Sequence, residues 1–137
     1  MIATLPFDEG LALLAGGRPW VFRARGQSMR GQIEDGSLVT LLPLVEPRLG
    51  DIVLARRGDH LELHRAVGRR GDDWLLKGDR NLRVTGFERT ALLGRVVRIE
   101  HHGATQDLTT PFARARAIAS CGLAWTPILR EKVRSLF

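Results

Sequence analysis

The sequence predicts a mainly β fold: a coiled, largely antiparallel sheet or barrel, with a short helix before it and amphipathic helices after it. Three observations carry that prediction. From Arg18 to about residue 103 the chain is a succession of short apolar runs, several alternating as half-buried strands do. Gly-Asp pairs separate consecutive runs at Gly58-Asp59 and Gly71-Asp72, which is hairpin chemistry. Beyond residue 110 the apolar spacing becomes helical. At 137 residues the chain reads as one domain, a β core over 18–103 followed by a helical basic tail over 110–137.

The first element is FDEGLALLAGG (7–17), where Asp8 is placed to cap a short helix, Leu11 and Leu14 share a face, and Gly16-Gly17 stop it. The strand runs follow as WVFRAR (20–25), SLVTLLPL (37–44), DIVLARR (51–57), LELHRAV (61–67), DWLLKG (73–78) and LLGRVVRIE (92–100). Two Thr-Pro pairs then have the form of an N-cap with proline at the first helical position, Thr110-Pro111 and Thr126-Pro127. Phe112, Ala115, Ile118 and Ala119 fall on one face, as do Leu129, Val133 and Leu136. The tail therefore reads as two short helices hinged around Gly122 to Thr126.

Composition excludes several function classes. A 44% hydrophobic and 26% charged chain is soluble and folded rather than disordered. Cys121 is the only cysteine, so no internal disulfide forms and no oxidising compartment is required. No stretch approaches the ~20 apolar residues of a membrane span; the richest window, AIASCGLAWTPIL (117–129), is broken by Gly122 and Pro127. Most of the formal charge of +6 sits in the tail, where Arg114, Arg116, Arg130, Lys132 and Arg134 face Glu131 alone. A nucleic-acid surface would need those cations on the β core, so none is expected. A tail with this composition either packs on the sheet or touches a membrane surface through 111–137. The expected compartment is the cytoplasm, or the inner membrane face.

GQSMRG (26–31) raises the chemical question. Ser28 follows a glycine-led turn after a strand, where it is either a turn serine or a nucleophile. A serine hydroxyl needs an adjacent base to take its proton. Only two lysines exist, Lys77 in KGDRN and Lys132 in the tail, so lysine is poorly supplied. Of the four histidines, His60 lies at a hairpin turn and His101-His102 at a strand end, whereas His64 sits inside LELHRAV. His64 is the credible base. The histidines show no cysteine or carboxylate partners at ligand spacing, and a serine–base pair requires no metal or other cofactor.

GQSMRGQIEDGSLV, GDIVLARR, LHRAV, LLKGDRN and LLGRVVRIE occur in the order found in the signal peptidase I and LexA-like serine peptidase superfamily. The chain resembles most the histidine-using branch, the archaeal and endoplasmic-reticulum type, but without that branch's usual membrane anchor. The resemblance implies Ser28 as nucleophile, His64 as general base and the Ser28 backbone N–H as an oxyanion donor. Asp79 is its best candidate for orienting His64 or shaping its surroundings. Gly26 would turn the chain ahead of the serine, and Met29 would wall a pocket or the core. The strand before it, with Val21, Phe22 and Arg23, would receive an extended substrate by backbone pairing. Three positions depart from the family pattern: Gly31 stands where proline is usual, Gly36-Ser37 replaces Gly-Asp, and Thr85 lies near the place of a late aspartate. The implied function is a serine endopeptidase maturing a specific polypeptide. The alternative is a catalytically impaired module of the same fold that binds peptides or a protein partner.

Overall fold

All six apolar runs become strands in the computed structural model, which describes residues 2–3 and 7–125. In chain order the elements are β1 (Ile2–Ala3), α1 (Phe7–Ala15), β2 (Trp20–Arg25), β3 (Leu38–Pro43), β4 (Ile52–Arg57) and β5 (His60–Arg70). Then come β6 (Asp73–Lys77), β7 (Thr85–Phe87), a 3-10 turn (Arg89–Ala91), β8 (Leu92–His101), β9 (Ala104–Asp107) and α2 (Pro111–Ala124). The described strands form one antiparallel sheet in the order β1-β2-β3-β8-β4-β5-β6-β7, with β9 hydrogen-bonded to β8. β1 closes it: Ile2 lies opposite Arg25 on β2 and also opposite Glu62 on β5.

The period-2 alternation of β4 assigns its side chains to two cores. Ile52 and Leu54 join the barrel interior with Trp20, Phe22, Met29, Ile33 and Leu63. Val53 and Ala55 point the other way, where the β6–β7 hairpin brings Trp74, Leu76 and Phe87 over the sheet. Two-sided burial explains why this run reads as continuous apolar sequence rather than a clean alternation. The Gly58 and Gly71 turns adopt φ of 57° and 63°, the left-handed conformation that two-residue hairpins require.

α1 differs from its expected start. The helix begins at Phe7, so Asp8 lies inside the first turn, where its charge suits the helix dipole, rather than capping it. Gly10 permits the packing of α1 on β2, because a Cβ there would fall 2.0 Å from Trp20 Cε2. Gly17, at φ 76°, ends the helix as expected.

α2 brings a larger correction. Thr110 caps it as expected, its Oγ1 accepting the Ala113 N–H at 3.1 Å. The helix then runs through Gly122 to Ala124 and ends at Trp125, within the Gly122–Thr126 stretch expected to hinge, of which Thr126 lies outside the described residues. The apolar stripe of Phe112 and Ile118 faces outward, and Phe112 is 75% exposed. Small residues make the contact instead. A Cβ on Gly50 would lie 2.7 Å from the Ala117 backbone, and Cys121 and Ala124 are buried against Val67. Close backbone approach outweighs the apolar stripe here. The second tail helix, with Leu129, Val133 and Leu136, lies outside the described residues. Among those described, no helix is long and apolar enough to cross a membrane.

Candidate active site

The turn that carries Ser28 is held from two sides. Gly26, at φ 105°, reverses the chain and donates its N–H to Asp35 Oδ1 at 2.9 Å. Met29 is fully buried in the barrel interior and anchors the turn from below. The Lys77–Asn81 segment packs on it from the side. Arg80 N–H donates to the Ser28 carbonyl at 2.8 Å, Arg80 Nε to the Arg30 carbonyl at 3.0 Å, and Asp79 N–H to Met29 Sδ at 3.4 Å.

Register then relates Ser28 to His64. β5 and β6 pair as far as Arg65 opposite Lys77, the last residue of β6, and extending that register by one residue would set Gly78 opposite His64. Directly opposed residues share a face, with Cβ positions about 4.5–5.5 Å apart. A Cβ built on Gly78 would lie 2.8 Å from Ser28 Cβ. Ser28 therefore packs on the His64 face of the sheet, in the space that Gly78 leaves open. Neither Gly78's role nor its necessity was read from KGDRN, although a glycine at the end of an apolar strand is the usual sign of close approach.

The remaining expected residues divide by face. Arg65 and Lys77 point away from His64, and Asp79 is engaged with them. Arg65, 2% exposed, grips Asp79 with a fork of two bonds, Nε to Oδ1 at 2.8 Å and Nη2 to Oδ2 at 2.9 Å. Its Nη1 donates to the Gly50 carbonyl at 2.9 Å. Asp79 thus holds Arg65 directly rather than His64, and its effect on the imidazole is through space. The carboxylate nearest His64 is Glu62, with Oε2 3.8 Å from Nδ1. Glu62 was missed, yet residues i and i+2 of a strand share a face, so the Glu-x-His spacing in LELHRAV could have found it.

The substrate-binding expectations also sort by burial. Val21 and Arg23 are exposed on β2, whereas Phe22 points inward, stacked near Trp20 at a centroid separation of 4.8 Å. Phe22 and Met29 support the site from the core. Gly31 has its own reason for replacing proline: its φ is 102° and its N–H donates to Glu34 Oε1 at 3.2 Å. Proline fixes φ near −65° and has no donor, so it cannot make this turn.

Burial pushes the His64 pKa down from 6.5 to about 4, with Arg57 adding to the shift and Glu62 and Asp79 opposing it. Burial likewise lowers the Lys77 pKa, and its Nζ donates to the Gly78 carbonyl at 3.2 Å. The imidazole is neutral at physiological pH, the state a general base needs.

The Peptidase S24-like family model matches residues 3–97. The chain belongs to the S24-like peptidase family. That match places it in the LexA- and signal-peptidase-like superfamily, and it takes in Ser28, His64 and the Lys77–Asn81 segment. No curated protein matches the chain.

Proposed function

We propose that this S24-like peptidase cleaves an extended peptide through Ser28 as nucleophile and His64 as general base, maturing a specific polypeptide. The observation that carries the reading is the packing of Ser28 against Gly78, the residue that follows the last β5–β6 pair, Arg65 opposite Lys77, next to His64. Ser28 Oγ attacks the scissile carbonyl as neutral His64 accepts its proton. The Ser28 N–H stabilises the oxyanion, and one such donor is worth about 3 kcal/mol of barrier. His64 then returns the proton to the leaving amine, and water hydrolyses the acyl-serine by the same route.

Covalent labelling with a fluorophosphonate tests the pair. His64→Ala is expected to lose the labelling that Lys77→Met retains; the opposite pattern would transfer the base role to lysine. The wild-type rate should rise with pH through about 4, as His64 gives up its proton, and level off above it. The same depressed pKa fixes a stability trend. The unfolded chain binds the proton first, so His64 erodes stability as pH falls from 6.5 towards 4.

The mode of substrate entry has a resident example. β1 lies antiparallel to both β2 and β5, with Ile2, its end nearer Ser28, opposite Arg25 and Glu62. An extended segment of this same chain thus lies between β2, which leads into the Ser28 turn, and β5, which carries His64. Deleting residues 1–3 should raise kcat/KM for a peptide supplied in trans roughly three- to tenfold, as expected when a minor open state becomes dominant. A fall in kcat/KM that tracks a lower Tm would instead give β1 a purely structural role.

The proposed location is the cytoplasm with access to the inner membrane face. The exposed Phe112, Ile118 and Leu123 on α2, beside exposed Arg116, support that contact.

A further inference from the structure

A cavity of about 420 Å³ opens between the start of β4, β8, β9 and the first turns of α2, with Arg65 of β5 also lining it. Five arginines line it against two aspartates. Both aspartates are already engaged: Asp51 accepts from Arg114 at 3.1 Å, and Asp107 accepts from the Thr109 N–H and hydroxyl at 2.8 and 2.6 Å. Arg65 is neutralised by Asp79. That leaves Arg48, Arg95 and Arg116, which have no carboxylate within ion-pair distance among the described residues. The same cavity has an apolar wall of Ile52, Val96, Val97 and Leu108, with Phe112 at its edge.

Unneutralised guanidiniums beside an apolar wall have a specific complement. Guanidinium groups pair with oxyanions in a planar, bidentate fashion, and ligand pockets are apolar clefts of about 300–1,000 Å³ with a few placed polar groups. We propose that this cavity binds a small amphipathic anion, an oxyanion head on a short aliphatic chain. The head sits among Arg48, Arg95 and Arg116, and the chain lies along Ile52, Val97 and Leu108. The space suits a chain of roughly ten atoms at the lower end of the usual pocket range, and excludes a folded partner. The site is separate from the peptide slot, and its occupancy does not depend on Ser28.

Calorimetric titration of the full chain with decanoate and with octyl phosphate, both below their micelle-forming concentrations, tests the site. Saturable binding at one per chain is expected for at least one of them, and the tighter identifies the preferred head. Butyrate, inorganic phosphate and decyltrimethylammonium should each bind at least tenfold more weakly. The Arg48→Gln, Arg95→Gln, Arg116→Gln triple variant should lose at least tenfold in affinity while circular dichroism shows the fold intact. Binding of decyltrimethylammonium as tight as decanoate, an unaffected triple variant, or no saturable binding would overturn the proposal. A Ser28→Ala chain that no longer cleaves but still binds decanoate separates this site from the peptidase reading.

Discussion

Ser28→Ala is expected to lower kcat/KM for peptide cleavage by about four orders of magnitude or more, the usual loss when a serine nucleophile is removed. The change deletes one oxygen from a half-buried side chain, and the turn around it keeps its other supports. The Ser28 carbonyl still accepts from Arg80, Met29 still fills the core below, and Gly26 still donates to Asp35. Any stability change should therefore stay within about 1 kcal/mol, the worth of a single hydrogen bond. Measuring kcat/KM beside a urea titration separates the two effects. Cleavage at the wild-type rate by a folded Ser28→Ala chain would remove the nucleophile assignment. Wild-type protein that neither cleaves nor labels would favour a peptide-binding module that has lost catalysis.

What the sequence shows and what it hides follow from the range of the interactions involved. WVFRAR and LELHRAV announce strands because each is long enough to display a period of two. β1, β7 and β9 have two, three and four residues, too few to show a period, and they exist because neighbouring strands offer unpaired edges. The proposed nucleophile and base rest on chemistry: few lysines, and one histidine well inside an apolar run. The partners of Asp79 were not legible in the sequence. Arg65 and His64 are adjacent in sequence but project to opposite faces, and only the pairing of Arg65 with Lys77 decides which of them Asp79 meets. α2 misled for a related reason. Its apolar stripe is the stronger sequence signal, yet Gly50, 67 residues before Ala117 in the chain, permits a closer contact on the other face.

Asp79→Ala carries the largest stability effect. Removing the carboxylate leaves the Arg65 guanidinium 2% exposed, with two of its bonds broken and only the Gly50 carbonyl and Gln32 remaining. Uncompensated burial of a charge costs about 3–5 kcal/mol. Asp79 retains 22% side-chain exposure, so water can reach the vacated space and the lower end applies. A loss of about 3 kcal/mol corresponds to roughly 10–15 °C in Tm for a domain of this size. The favourable Coulomb energy of the pair is not the reason for its presence, because two charges removed from water repay little net stability. Replacing both partners shows the difference: Arg65→Met with Asp79→Leu should recover most of the loss in chemical denaturation. Activity should not recover with it. The fork ties β5 to the segment that sets Gly78 against Ser28, so the double variant keeps its fold but loses the register between nucleophile and base. A double variant as active as wild type would show that this register is held without the ion pair. An Asp79→Ala chain within about 1 kcal/mol of wild type would show that the guanidinium finds water or another acceptor.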